Sequence, residues 1–482
     1  MDASTPLRFA IVGHPNEGKS SVVSTLAEDD TVPVSPIPGE TRSCRHYPVV
    51  IDGQTVVEFI DTPGFQSPRR TLAWLEQSGA HDQEAVRSFR AAHRDDPEFR
   101  NENELLHPIE AGAGIIYVVD GSRPLRDNDL AEMEILRRTG RPRLAIINCK
   151  EREDRYLPEW KAAFRRHFNA VRVFNAHRAT YAERLALLET LKNIDQDWLP
   201  AMAQVIEAFR RDWDQRIART ADLIGELLEN SLRHTAFAEY QDRAEDIAEE
   251  RLKERFCRDL AAMEHDFHER IRKLFKHNIF RYQPPPNSAL RENLFSERVW
   301  RVLGLDRGQL TWAATLAGGA AGAGLDALFT GISAGVFTAT GALLGALTAY
   351  LGGGKLARVK GPRLRLLGID LLPPMGKTQI QIGPLTNIQF FFVLLDRALI
   401  FFSYVINWAH ARRAPLPDEN PAEIREGYAA RWSEPQRRTA IGYFEALKNP
   451  DESGRLDRKR GDFQILLRTV LSRLSEEKSF DS

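Results

Sequence analysis

The run Gly13-His14-Pro15-Asn16-Glu17-Gly18-Lys19-Ser20 carries the residue types that bind phosphate. Glycines at both ends let the backbone curl, so that successive N–H groups and the N-terminus of a following helix point at the β- and γ-phosphates of a nucleotide. Lys19 would neutralise phosphate charge, and Ser20 would coordinate Mg²⁺. Further along comes Asp61-Thr62-Pro63-Gly64, whose aspartate can hold Mg²⁺ through water and whose Gly64 N–H can meet the γ-phosphate. Between the two motifs, Pro38-Gly39-Glu40-Thr41-Arg42 places Thr41 to complete the metal shell when a triphosphate is bound. Gly13, Asn16, Glu17, Gly18, Lys19, Ser20 and Ser21 are the candidate phosphate-binding positions. Ser20, Thr41 and Asp61 are the candidate metal ligands, and Lys19, Thr41 and Gly64 the candidate groups for phosphoryl transfer.

The elements that must position these residues are legible around them. Leu7 to Val12 is an apolar, strand-like stretch ahead of the loop, and Ser21 to Leu26 reads as the helix behind it. The alternating run Thr55-Val56-Val57-Glu58-Phe59-Ile60 delivers Asp61 at a strand end. Order, spacing and strand context together define an α/β P-loop GTPase domain with a mainly parallel sheet flanked by helices, expected over residues 1–196.

Asn16 inside the loop, the Pro-Gly-x-Thr-Arg switch and Asp-Thr-Pro-Gly resemble the Era/TrmE branch of translation-factor-type GTPases. With the downstream run Tyr117 to Pro124, the chain further resembles a bacterial family that fuses such a G domain to a C-terminal domain of unknown function, number 3482. The resemblance implies GTP and GDP as ligands with Mg²⁺. It also implies that Asn16 can ligate K⁺, which would neutralise developing charge where an arginine finger would act.

Two positions depart from the family pattern. Relatives place Asn-Lys-x-Asp after a buried strand to read guanine, whereas here Leu144 to Ile147 is followed by Asn148-Cys149-Lys150-Glu151. Asn148 sits correctly. Glu151 offers two acceptor oxygens on a stem one methylene longer than aspartate, so guanine remains the expected base with a weakened preference. Ala176, after the strand Ala170 to Phe174, is the candidate base loop. The second departure is Phe65, which stands where Ras-type enzymes carry a glutamine that orients the attacking water. Phe65 cannot do that and is expected to pack the switch. Hydrolysis then falls to backbone, cation or partner groups and is expected to be slow without a partner or K⁺.

The chain has 482 residues, enough for about three domains. Three cysteines, Cys44, Cys149 and Cys257, have no metal-ligand spacing, which argues against a disulfide framework or a zinc site. Residues Met1 to Pro6 carry no basic segment or long apolar core, so a cytoplasmic location is expected. Net charge is −1, and no nucleic-acid-binding module is recognisable.

A long charged stretch, 66–107, interrupts the G domain after the second switch. It is either a helical insertion packed on the domain or the place where a protein partner senses the γ-phosphate. Beyond residue 196, the region 197–310 shows apolar positions at helical spacing and no convincing proline or glycine break between 200 and 282, predicting a pair of long helices. Residues 311–354 include 11 glycines, several four apart, with Asp326 the only charge. That composition predicts a Gly/Ala-rich helical hairpin that takes its stability from lipid or from tight helix packing, making it the candidate for contact with the inner face of the membrane. The final part, 355–482, reads as mixed and mainly helical, with Ile388 to Trp408 leaning to core because Asp396-Arg397 divides it.

These features predict a GTPase acting as a nucleotide-dependent switch for its helical C-terminal region. Two alternatives stand beside it: a catalytically weak, nucleotide-gated scaffold, and a membrane-remodelling or pore-type protein driven by the Gly-rich hairpin.

Overall fold

Strands in the middle of a parallel sheet are covered by helices on both faces and must be apolar throughout. The chain supplies them in the order α/β packing requires. In the computed structural model, β1 (Leu7–Val12) leads through the phosphate loop into α1 (Lys19–Leu26), followed by the hairpin of β2 (Arg45–Ile51) and β3 (Gln54–Asp61). Three helices come next, α2 (Pro68–Ser78), α3 (Asp82–Ala92) and α4 (Arg100–Glu110). The domain continues with β4 (Gly114–Asp120), α5 (Asp127–Arg138), β5 (Arg143–Asn148), α6 (Leu157–His167), β6 (Ala170–Phe174) and α7 (Tyr181–Lys192).

The structure describes residues 6–34, 41–79, 82–149, 155–240, 245–279, 357–359, 365–366, 369–370, 378–412, 427–448 and 453–476, with scattered positions between 290 and 309. The predicted Gly/Ala-rich hairpin at 311–354 lies outside the described residues, as does Glu151.

The sheet order is β2-β3-β1-β4-β5-β6, parallel throughout except for the antiparallel β2–β3 pair. Strand order reverses direction at β1, and the crevice beyond its carboxyl end is where open α/β sheets bind ligands. The stretch 66–107 contains α2, α3 and most of α4, packed on the G domain through Leu75, Val86, Phe89 and Leu105.

The C-terminal region is built on α8 (Leu199–Arg233), β7 (Ala236–Tyr240) and α9 (Glu245–Leu274). The two long helices expected from periodicity are present, but a strand separates them. Its partner explains why the local pattern missed it: β7 pairs antiparallel with a strand far along the chain. Among the described residues that region holds β8 (Ala357–Val359), β9 (Arg365–Leu366), β10 (Ile369–Asp370) and β11 (Thr378–Ile382). Strands β7, β11 and β8 form one small sheet, β9 and β10 another. The remaining described helices are α10 (Ile388–Ile406), α11 (Glu434–Lys448) and α12 (Ser453–Glu476).

Helix α8 joins the two regions. Its first turns put Met202, Val205, Ile206 and Phe209 into the core of the G domain, while Ile217 to Leu232 belong to the C-terminal core. Each such buried side chain contributes about 1.5–3 kcal/mol. At 35 residues α8 is about 52 Å long, enough to cross both regions.

Helix α10 is the one described helix long and apolar enough to cross a membrane, with mean hydropathy 1.7, yet 89% of its span is buried inside the protein. Its two central charges explain the choice of core. Asp396 accepts hydrogen bonds from the Gly304 and Ala429 N–H groups, both at 2.7 Å, and Arg397 makes a two-pronged pair with Glu264 of α9 at 2.6 and 2.9 Å. Buried charges need such partners.

Candidate nucleotide site

The phosphate loop is shaped by positive backbone angles at Gly13, Asn16 and Gly18 (φ 146°, 67° and 91°). A Cβ at Gly13 would also lie 2.3 Å from the Val118 carbonyl oxygen, so only glycine fits between the loop and β4. Asn16 tolerates the left-handed region better than most residues. Gly64 faces the loop from the other side, where a Cβ would meet the Pro15 ring at 2.6 Å. The second switch therefore lies directly against the phosphate loop.

Lys19, the first residue of α1, donates from Nζ to the carbonyl oxygens of Gly13 (3.1 Å) and His14 (2.9 Å). Burial pulls its ammonium below the usual lysine range, against the charges of Asp61, Glu132 and Glu17. A phosphate at the loop would supply the missing counter-charge.

The three candidate metal ligands converge. Asp61 Oδ2 accepts from Ser20 Oγ at 2.8 Å and from Thr41 Oγ1 at 3.4 Å. Its other oxygen, Oδ1, is buried with no hydrogen-bond partner among the described residues. Burial raises the Asp61 carboxyl, while the Ser20 hydroxyl and the Lys19 charge oppose the rise. Two hydroxyls and a carboxylate with an orphaned oxygen form a hard, all-oxygen donor set that suits Mg²⁺.

On the base side, Asn148 ties two loops together: its Nδ2 donates to the Glu17 carbonyl at 3.2 Å, and its Oδ1 accepts from the Ala176 N–H at 3.2 Å. Glu17 itself is held by Arg123, whose Nε and Nη2 donate to Oε1 at 2.8 and 2.6 Å, and by the Asp120 N–H. Its carboxyl is raised by burial, with the Arg123 charge pulling the other way. Ser21 is buried at the start of α1. Phe65 is fully buried and packs the switch against the core on that face of the sheet.

Sequence reasoning missed several contributors. His14 Nδ1 lies 2.9 Å from Glu132 Oε1, and Tyr117 donates to Glu132 Oε2 at 2.9 Å, anchoring the loop to β4 and α5. The Glu132 bond raises the His14 pKa. Arg123 also grips Asp129 with two bonds of 2.7 Å. No local spacing points to the pairs His14–Glu132 and Glu17–Arg123, because the parallel sheet brings together residues more than 100 positions apart.

Fold and site together define a P-loop GTPase domain. A family described as 50S ribosome-binding GTPase matches residues 8–149. A second, described as a domain of unknown function (DUF3482), matches residues 161–467, more than half of the chain. The protein belongs to the DUF3482 family.

Among curated proteins the chain is similar to GTPase Der of Aeromonas hydrophila, 29% identical over 157 residues that make up 33% of this chain and 27% of the relative. GTPase Der of Bacillus cytotoxicus is 25% identical over 205 residues, 42% of this chain and 40% of the relative. GTPase Der of Rhodopirellula baltica is 43% identical over 86 residues, 18% of each chain. The chain thus spans well under half of these relatives. Among solved structures, Era of Aquifex aeolicus bound to GDP and AlF4⁻ aligns with 18% identity and a TM-score of 0.25, covering 48% of this chain and 72% of Era.

Proposed function

We propose that this protein hydrolyses GTP to GDP and phosphate in an Mg²⁺-dependent reaction, and that its nucleotide state acts on the helical C-terminal region. The convergence of Ser20, Thr41 and the half-satisfied Asp61 carboxylate carries this reading. Bound there, Mg²⁺ would neutralise charge on the β- and γ-phosphates. Lys19 exchanges its two loop carbonyls for phosphate oxygens, and the Gly64 N–H holds a γ-phosphate oxygen. A water attacks the γ-phosphorus as the bond to the β–γ bridging oxygen breaks. Its proton passes to phosphate oxygen, since buried Phe65 offers no base. Catalysis is therefore positioning and electrostatics.

In this reading Asn16 is the position at which K⁺ would assist. The measurement is GTP turnover by the full-length protein in matched K⁺ and Na⁺ buffers, with Lys19→Ala as control. Turnover that depends on K⁺ and vanishes in the control supports it. Equal turnover in both cations removes the role of Asn16, and absence of turnover with retained GTP binding favours the nucleotide-gated scaffold. We place the protein in the cytoplasm, with 311–354 as the segment that would contact a membrane.

A further inference from the structure

Helix α4 touches the second switch and the segment that follows the first with residues from a single turn. Asn101 Nδ2 donates to the Gly64 carbonyl at 3.3 Å. Glu102 Oε1 accepts from the Gln66 and Ser67 N–H groups at 2.7 and 2.6 Å. Glu104 reaches Cys44, two residues beyond the first switch: its Oε2 accepts from the Cys44 N–H at 3.5 Å, and its carbonyl accepts from the Cys44 thiol at 3.1 Å.

The Glu102 contact replaces a missing local device. Helix α2 begins just after Ser67, whose side chain makes no capping bond, and its first turn has no acidic residue. Helix starts normally obtain both from their own sequence. Here the carboxylate comes from 35 residues away, and it is fully buried, with its second oxygen lacking a partner among the described residues. Burying a half-satisfied carboxylate is unfavourable. Packing alone gives no reason for it, whereas fixing the backbone at 64–67 does.

The element that carries Asn101 and Glu102 is also stiff. Trp74, Phe89, His93 and Phe99 form one aromatic cluster with neighbouring ring centroids 4.3 to 5.5 Å apart, tying α2, α3 and the start of α4 together. Phe65 lies in the same core. Gly64 is therefore held by its carbonyl from α4 and, through Phe65 N–H to Gly13 O at 3.4 Å, from the phosphate loop.

We propose that Asn101 and Glu102 are positioning residues for the γ-phosphate, and that α4 sets how well this site distinguishes GTP from GDP. The inference rests on the GTPase reading. A γ-phosphate is met by the Gly64 N–H; Asn101 holds the next peptide unit by the Gly64 carbonyl and Glu102 holds the two units after that, so the backbone leading out of Gly64 is pinned on its far side, while the diphosphate needs neither contact. The insertion is thus a sensor within the chain.

The test measures affinities of the full-length protein for fluorescently labelled GDP and for a labelled non-hydrolysable GTP analogue, with Mg²⁺. Wild type and Lys19→Ala are read first: a wild type that binds neither nucleotide removes the parent reading, and this one with it. In Asn101→Ala and Glu102→Ala, analogue affinity is expected to fall about 10-fold, the scale of one or two lost hydrogen bonds, with GDP affinity within about 2-fold of wild type. Glu102→Gln, which keeps an acceptor oxygen, should recover most of the loss. Asn101→Ala removes one partly exposed bond and keeps the test open if Glu102→Ala fails to fold. Parallel loss of both affinities, or no change in either, overturns the proposal.

Discussion

Arg216, in the middle of α8, donates from Nη2 to Glu28 Oε2 at 2.7 Å, and so joins the C-terminal region to the residue two positions beyond the phosphate-loop helix. Arg184 of α7 holds the other oxygen at 2.6 Å, and Lys276 approaches within 3.3 Å. One turn earlier, Thr25 Oγ1 donates to the Ala176 carbonyl at 2.7 Å and accepts from the Ala411 N–H at 3.3 Å. The end of α1 thus contacts the base loop and the C-terminal region at once.

Arg216→Ala leaves Glu28 buried with one fewer cation. Breaking a buried pair from one side costs about 3 kcal/mol, so global stability should fall by that order in urea titrations. An unchanged midpoint would mean that Arg184 and Lys276 suffice.

The same cluster sets an acid limit. Burial alone would raise the Glu28 carboxyl, but Arg216, Arg184 and Lys276 outweigh it and hold its pKa well below the ordinary 4.5. Its stabilisation is complete above pH 4.5 and is lost as pH falls toward the folded-state pKa. Glu28→Gln should therefore be less stable than wild type at pH 7, with the gap narrowing below pH 4.5. A gap independent of pH would contradict the assignment.

Asp61→Asn should retain metal-free nucleotide binding while weakening Mg²⁺ by about 10-fold or more, read by titrating Mg²⁺ against bound fluorescent GTP analogue. Loss of binding without Mg²⁺ would instead indicate a damaged loop.

Asn148→Ala removes both bonds between the phosphate loop and the base loop. Affinity for GDP should drop about 10-fold, with a smaller effect on competition by ADP. Equal losses for the two would mean that Asn148 shapes the loop without affecting base choice.

Arg397→Leu separates a core helix from a membrane span. In the core it strands Glu264 and should cost about 3–5 kcal/mol. If α10 instead met lipid, the same change would raise partitioning into liposomes. For the Gly-rich segment the corresponding test is Gly335→Lys, which should lower partitioning if 311–354 contacts a bilayer.

The sequence by itself determined the G domain. Its phosphate loop, its Asp-Thr-Pro-Gly motif and its apolar strands are contiguous patterns whose geometry follows from neighbouring residues, so Gly13, Lys19, Ser20 and Asp61 could be placed by spacing alone. Helical periodicity likewise announced α8 and α9. Only the tertiary structure decided what depends on residues far apart in the chain. The strand β7 exists because β11 pairs with it, and its five residues show no break to read. The cap of α2 comes from Glu102, the anchor of Glu17 from Arg123, and the joint between the regions from Glu28 meeting Arg184 and Arg216. A buried charge is an unfavourable prospect in any one-dimensional reading. It becomes stable when folding delivers its partner, and that delivery is a property of topology rather than of local sequence.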